Sequence, residues 1–371
     1  MAEKIVLVTI GQKRKSKYLL SERADEMREL VRSAGGTVTA DVRAMIERPA
    51  PSHFIHSGKV EEIRQLSFNL KANLAIFNVD LSAVQSRNLE NELGVRVVDR
   101  TGLILDIFAK RAQSKEGRLQ VELAQLNYLL PRLSGQGVLL SRLGGGIGTR
   151  GPGEQKLEVN RRKIRDRIAR IKNELKKVSG HRALLRQSRK RKAFRLAAIV
   201  GYTNAGKSSL LNVLTGASAV VEDKLFATLD PTTRLFETPA CQKILLTDTV
   251  GFLKDLPHHL IEAFKATLEE VTEADFLIHV VDISNPFADD QFRAVNELLD
   301  QLKSLHKPTI LVLNKIDAIE DSVFLRIRHY FQNAIPISVK TKLNLAELIQ
   351  KIEEFGNLEL TREETNHRAF N

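Results

Sequence analysis

Short apolar runs alternate with amphipathic stretches over the first hundred residues of the chain. The runs Ile5–Ile10, Thr37–Ala40, Leu74–Val79 and Val95–Val98 have the length and apolar content of buried strands. Between them, Ser21–Ala34, Lys59–Leu70 and Ser82–Leu93 repeat apolar residues at helical spacing. Alternation of this kind predicts a small parallel α/β sheet over residues 1–112. Gly35-Gly36 and Pro49-Ala50-Pro51 read as turns, and the stretch holds no GxGxxG motif from which a nucleotide site would follow.

The periodicity then changes. Leu119, Leu123, Leu126, Leu130 and Leu133 step by four and three, and so do Ile164, Ile168, Ile171, Leu175 and Val178, with Leu157 one heptad earlier. Two such seams in succession predict an antiparallel helical hairpin over 113–193, because each helix buries the other's stripe. The connection, 134–155, holds eight of the chain's 21 glycines, far more chain than a hairpin needs. It mixes Val138, Leu139, Leu140 and Leu143 with Arg142 and Arg150, a composition suited to a loop that folds into a cavity in RNA.

From residue 194 strands return, and their ends carry chemistry. Leu196–Val200 runs into Gly201, Tyr202, Thr203, Asn204, Ala205, Gly206, Lys207 and Ser208, a GxxxxGK[ST] loop, and Ser208–Leu214 reads as the helix behind it. Glycines let backbone N–H groups close around phosphate oxygens, the lysine reaches the terminal phosphates, and Ser208 offers a hydroxyl to Mg²⁺. Lys243–Asp248 is a strand ending in Asp248, Thr249, Val250 and Gly251, a carboxylate at the strand tip and a glycine amide three residues on.

Thr309–Leu313 runs into Asn314, Lys315, Ile316 and Asp317. Asp317 can accept two N–H groups from guanine, whereas adenine would leave that carboxylate unpaired, so the tetrad selects GTP over ATP. Asn314 would brace the neighbouring loops, and the apolar stem of Lys315 would lie over the base. Ser338, Val339 and Lys340 follow the short strand Ala334–Ile337, where backbone amides can meet the guanine keto oxygen. Together these motifs predict a Ras-like P-loop GTPase domain over 194–356, with a helix at Asn344–Phe355 and a polar tail at 357–371.

A switch threonine for Mg²⁺ must lie between the P-loop and Asp248. Thr228, Thr232 and Thr233 are candidates, and spacing does not choose among them. Phe252 stands where Ras-type enzymes keep a glutamine that orients the attacking water. No catalytic residue is therefore assigned, and hydrolysis is expected to be slow without a partner.

Charge adds the partner class. Residues 156–195 hold seventeen Lys or Arg against three acidic residues, a net +14, so the remainder of this +12 chain nets −2. A surplus confined to one helical unit points to a polyphosphate partner. The single cysteine, Cys241, excludes an internal disulfide, no apolar window approaches a membrane span, and no signal peptide is apparent. Cytoplasm is the expected compartment, with peripheral attachment to a membrane as the alternative.

Beyond these motifs, the chain resembles the HflX family of ribosome-associated GTPases. The resemblance lies in His56–Ile63, Asp99–Asp106, Gln120–Gln125, Leu140–Glu154, the stretch Phe226, Ala227, Thr228, Leu229 and Asp230 continuing to Arg234, and Leu256–His258. It departs from the family's usual residues at Gln155, Ser209 and Val339. The resemblance implies a protein that docks on the large ribosomal subunit, hydrolyses GTP there and dissociates ribosomes; the expected partners are that subunit and its rRNA rather than DNA, and the chain is expected to be a monomer in solution. It also implies that Thr228 is the Mg²⁺-binding switch threonine and that the glycine-rich loop reaches toward the peptidyl-transferase centre. Two alternatives are a GTP-gated RNA-binding factor without splitting activity, and a plain GTPase acting on a protein partner. The second leaves the +14 segment and the loop unexplained.

Overall fold

A computed structural model of the chain describes residues 3–12, 17–133, 152–191, 194–216, 225–226, 228–254, 260 and 265–357. Most of the glycine-rich loop, Ala227 and the tail from 358 lie outside them. The chain divides into two compact units. The first comprises Met1–Leu184 with Asp223–Leu229 and Leu256–Lys265, and the second comprises Leu185–Glu222, Asp230–Asp255 and Ala266–Asn371.

In the first unit, β1 (Lys4–Gln12), β2 (Thr37–Ile46), β3 (Leu74–Phe77) and β4 (Arg96–Val98) form a sheet in the order β2-β1-β3-β4. Every pairing in it is parallel, as the alternation predicts. The helices α1 (Lys17–Ser33), α2 (Ser57–Leu70) and α3 (Ala83–Leu93) supply the crossovers, and α4 (Arg100–Arg111) follows the last strand. One core gathers Val6, Val8, Phe77, Ile63 and Leu89 from β1, β3, α2 and α3.

The second strand runs to Ile46, well past the Ala40 expected from the sequence. Val42, Ala44 and Ile46 are buried while Arg43 is exposed, so the strand continues in two-residue alternation after its apolar run stops. Asp41 spends its charge on an ion pair with Arg28 of α1.

Helix α5 (Lys115–Arg132) is fastened at its far end by one carboxylate. Asp99, which caps α4, is 2% exposed. Its Oδ1 accepts from Gly102 N at 2.8 Å and Tyr128 Oη at 2.7 Å, and its Oδ2 accepts from Leu81 N at 3.2 Å and Arg132 at 2.7 Å. Burial, reinforced by Asp99, pushes the Tyr128 phenol well above its ordinary pKa, so it stays a donor. A Cβ on Gly102 would lie 2.8 Å from that phenol oxygen, which explains a glycine inside a helix.

Helix α6 spans Pro152–Arg191, forty residues or about 60 Å at 1.5 Å per residue. It starts inside the stretch read as loop, with proline in the first turn, where its missing N–H costs nothing. Among its described side chains Ile171 is fully buried and Ile164, Ile168, Leu175 and Val178 are half-buried, as are Arg161 and Glu174, so the seam read from the sequence lies on the face the helix covers. Arg167 makes a two-pronged ion pair with Glu122 of α5, both contacts at 2.7 Å. Arg162, Lys163, Arg170, Lys172, Lys176 and Lys177 face outward.

The second unit is a six-stranded sheet in the order β10-β9-β8-β5-β7-β6. Its strands are β5 (Arg195–Gly201), β6 (Thr232–Glu237), β7 (Lys243–Asp248), β8 (Phe276–Asp282), β9 (Thr309–Asn314) and β10 (Ile335–Pro336). Only the β6–β7 pairing is antiparallel. Helices α7 (Lys207–Thr215), α8 (Lys265–Glu273), α9 (Ala288–Gln301), α10 (Asp321–Tyr330) and α11 (Leu345–Asn357) accompany it. Ile199, Leu246, Ile278, Val312, Leu210 and Ile352 lie in one core that joins the sheet to α7 and α11. Because β5, β7, β8 and β9 are parallel, Gly201, Asp248, Asp282 and Asn314 all fall at carboxyl ends of strands, where open α/β sheets place their ligands.

Candidate functional site

The loop after β5 has the backbone that phosphate binding requires. Gly201 has φ +154° and approaches β8 so closely that a Cβ would sit 2.3 Å from the Val280 carbonyl oxygen. Gly206, at φ +96°, heads α7, and a Cβ there would strike Asn314 Nδ2 at 2.3 Å. Both positions exclude side chains, one through close packing on a strand and the other through conformation as well as crowding.

Lys207 is 6% exposed and folds back over the loop, its Nζ donating to Tyr202 O at 2.7 Å and Gly201 O at 3.1 Å. Burial lowers its pKa to about 8, and the nearby Asp248 opposes that shift. Ser208 Oγ donates to Asp248 Oδ2 at 2.6 Å, and Asp248 is 2% exposed. A hydroxyl and a buried carboxylate thus converge beside the lysine.

The stretch after Asp248 lies along the P-loop. Thr249 Oγ1 donates to Ile199 O at 2.7 Å. Phe252 N donates to Gly201 O at 3.1 Å, and Phe252 O accepts from Thr203 N at 2.9 Å. Lys254 N donates to the Tyr202 phenol oxygen at 3.0 Å, so Tyr202 anchors this segment. A Cβ on Gly251 would lie 2.8 Å from Thr203 Cα and 3.2 Å from Lys207 Nζ, which places the glycine beside the lysine. Phe252 is 1% exposed and packed, as expected of an apolar side chain at a position that in Ras-type enzymes orients water.

Three loops meet at Asn314. Its Nδ2 donates to Ala205 O at 2.9 Å and its Oδ1 accepts from Val339 N at 3.2 Å, joining the P-loop to the Ser338–Lys340 turn. Ile316 N donates to Ile337 O at 3.3 Å, and Ile337 N donates to Leu313 O at 2.8 Å. Lys315 has φ +69° and Asp317 stands exposed in a single 3₁₀ turn, Ile316–Ala318. Ser338 is fully buried and its Oγ accepts from Thr341 N at 3.0 Å, which shapes the turn, while Lys340 is exposed.

The candidate switch residues divide. Thr232 and Thr233 lie in β6, opposite Asp248 and Thr247, and the Thr233 hydroxyl pairs with that of Thr247 at 2.9 Å. Phe226, Thr228 and Leu229 belong to the first unit, where Phe226 packs edge-on against Phe108 with ring centroids 4.7 Å apart and Leu225 N donates to Ser33 Oγ at 3.0 Å. Asp230 belongs to the second unit.

Two residues of this neighbourhood escape a motif reading. Asp282 ends β8 and pairs with Lys315 at 2.7 Å; its only signal is its place at a strand tip, the same place as Asp248 and Asn314. His279, 2% exposed, stacks on Phe292 at 5.0 Å. Burial, with the Lys207 charge, lowers its pKa to about 3, so it is neutral at physiological pH.

The chain is similar to known proteins along nearly its whole length. Residues 21–109 match the family described as GTP-binding GTPase N-terminal, and 111–189 match GTP-binding GTPase Middle Region. Residues 196–315 match the family described as 50S ribosome-binding GTPase. The GTPase HflX of Caldanaerobacter subterraneus is 52% identical over 332 residues, covering 90% of this chain and 76% of its own. That of Escherichia coli is 43% identical over 335 residues, covering 90% and 79%. A solved complex of SsGBP with GDP is similar at 27% identity and a TM-score of 0.53, covering 96% of this chain and 98% of that one. Among the described residues, no helix is long and apolar enough to cross a membrane.

Proposed function

This chain belongs to the HflX family of GTPases and is an enzyme that binds and hydrolyses GTP, and from that premise we propose that it acts on the large ribosomal subunit, docking through its basic helix and dissociating ribosomes in a GTP-dependent step. The observation that carries the reading is the confinement of +14 charges to 156–195, largely on a long helix with an outward basic face and a root at the glycine-rich loop. A helix of this kind gains affinity for rRNA by releasing counterions from phosphates. The match of 196–315 to a 50S ribosome-binding GTPase family supports the same partner.

Within the nucleotide site, the P-loop from Gly201 to Ser208 holds the phosphates and Lys207 neutralises them. Asp317 accepts from guanine, Asn314 locks the base-reading loops to the P-loop, and the turn at Ser338, Val339 and Lys340 offers amides to the guanine keto oxygen. Asp248 to Gly251 senses the γ-phosphate. Ser208 Oγ and the Asp248 carboxylate, 2.6 Å apart, are hard oxygen donors of the kind Mg²⁺ takes. The family resemblance assigns the Mg²⁺-binding switch hydroxyl to Thr228, and the Thr233 hydroxyl is paired with that of Thr247 in the β6–β7 ladder. Mg²⁺ bound there supplies neutralisation of the phosphate charge. The packed Phe252 cannot orient water, so the ribosome is the partner that completes the catalytic arrangement.

The test pairs two measurements. Cosedimentation with large subunits across a salt series should show tight, salt-sensitive binding in GTP. Light scattering of intact ribosomes should fall on adding the protein with GTP and stay level with GDP. Tight binding without a fall in scattering would favour the gated-binding alternative.

A further inference from the structure

The base-reading lysine is held at both ends. Its backbone sits at φ +69°, a left-handed conformation that a lysine adopts only where its surroundings impose it. Its far end pairs with Asp282, Nζ to Oδ2 at 2.7 Å. Asp282 is itself fixed. It terminates β8 opposite Asn314 in register, and its Oδ1 accepts from Ser284 N at 3.0 Å and Ser284 Oγ at 2.6 Å. The next turn is closed by Asn285 Oδ1, which accepts from Phe287 N at 2.9 Å. The side chains of Lys315 and Asp282 are 32% and 13% exposed, so the pair is partly shielded from solvent.

A lysine stem free in solution samples many rotamers, and laying it flat against a base freezes them. Holding the ammonium on a rigid carboxylate freezes them before the ligand arrives. We propose that Asp282 is a positioning residue for the guanine nucleotide: acting through Lys315, it keeps the lysine stem extended as an apolar wall for the base. The proposal rests on the assignment of Asn314–Asp317 as the base-reading loop. It assigns Asp282 a role in affinity and none in base identity, because the carboxylate acts on a stem that meets the ring face and not its hydrogen-bonding edge.

The experiment is a thermodynamic cycle on the full-length protein, with GDP affinity measured by calorimetry. Asp282→Asn retains an oxygen for Ser284 and loses the charge; Lys315→Met retains an unbranched stem and loses the ammonium. Each should weaken GDP by about tenfold, the scale of one rotamer-rich side chain ordered on binding. The double variant should be no weaker than either single one, and inosine diphosphate, which lacks the 2-amino group, should lose the same factor as GDP on Asp282→Asn. Unfolding midpoints without nucleotide control for a structural effect. Undiminished GDP affinity in Asp282→Asn, or additive losses in the double variant, would overturn the role of Asp282 while leaving the guanine site intact. If Asp317→Ala in the same series leaves the preference for GDP over ADP unchanged, the base-reading assignment itself fails and the role of Asp282 falls with it.

Discussion

The Asn314 carboxamide donates to the carbonyl of Ala205 at 2.9 Å, across 109 residues of chain, and so ties the Asn314–Asp317 loop to the P-loop. The same side chain accepts from Val339 N. The two contacts join three loops through one buried side chain.

Asn314→Ala should therefore weaken the protein before it weakens the ligand. It leaves the Ala205 carbonyl and the Val339 amide without their partner, a cost of about 1–3 kcal/mol for each buried group left unpaired. A lower urea midpoint for the nucleotide-free protein, together with weaker GDP binding, is expected. Weaker GDP binding at unchanged stability would mean that the asparagine acts only on the base.

Gly251→Ala separates the two nucleotides. The new methyl would fall 2.8 Å from Thr203 Cα and 2.7 Å from Thr203 Cγ2, so the segment must lift from the P-loop. GTP affinity and hydrolysis should fall by tenfold or more, on the order of 1.4 kcal/mol, with GDP affinity nearly unchanged. Equal losses for both nucleotides, measured by fluorescent analogue titration, would place Gly251 outside γ-phosphate sensing.

The buried Lys207 makes binding depend on pH. Its pKa is lowered to about 8, chiefly by burial. Phosphates favour the charged form and raise that pKa in the complex, so binding takes up a proton once the free lysine has lost one. GDP affinity should be flat below about pH 8 and fall above it, by up to about tenfold per pH unit. Affinity flat to about pH 9 would show that the lysine stays charged in the free protein.

His279 has the opposite position in the pH range. Its pKa falls from 6.5 to about 3 on folding, so below pH 6.5 the unfolded chain binds a proton that the folded chain refuses. Stability is thus lost as pH falls, by up to about 1.4 kcal/mol per unit between those values. His279→Leu should flatten the decline in urea midpoint between about pH 7 and pH 5. An unchanged decline would assign the acid sensitivity to other groups.

Reversing charge on the outward face of α6, with Arg162, Arg170, Lys172 and Lys176 changed to Glu, should weaken binding to large subunits and flatten its salt dependence, since each lost phosphate contact removes counterion release. GTP hydrolysis without ribosomes should not change. Binding that keeps both its strength and its salt slope would move the docking surface elsewhere.

Much of the candidate site is legible in the chain because it is local: eight consecutive residues make the P-loop, and Asn314–Asp317 follow directly on one strand. The seam of α6 is legible for the same reason, as a period. What escapes is set by tertiary partners. The second half of β2 is hidden because Asp41 and Arg43 interrupt its apolar run, and the Asp41 charge is absorbed by Arg28 on another element. The role of Gly102 appears only when Tyr128, 26 residues on, is seen filling the space a side chain would need. Asp282 carries no motif, and its meaning comes from the lysine that the neighbouring strand delivers to it.

The rate of GTP hydrolysis by the full chain, measured with and without purified large ribosomal subunits, tests the central claim most directly. With Phe252 buried in place of a water-orienting side chain, the protein alone should turn over slowly, and large subunits should raise the rate by orders of magnitude in a salt-sensitive manner. A rate that is fast from the start, or that large subunits leave unchanged, would contradict it.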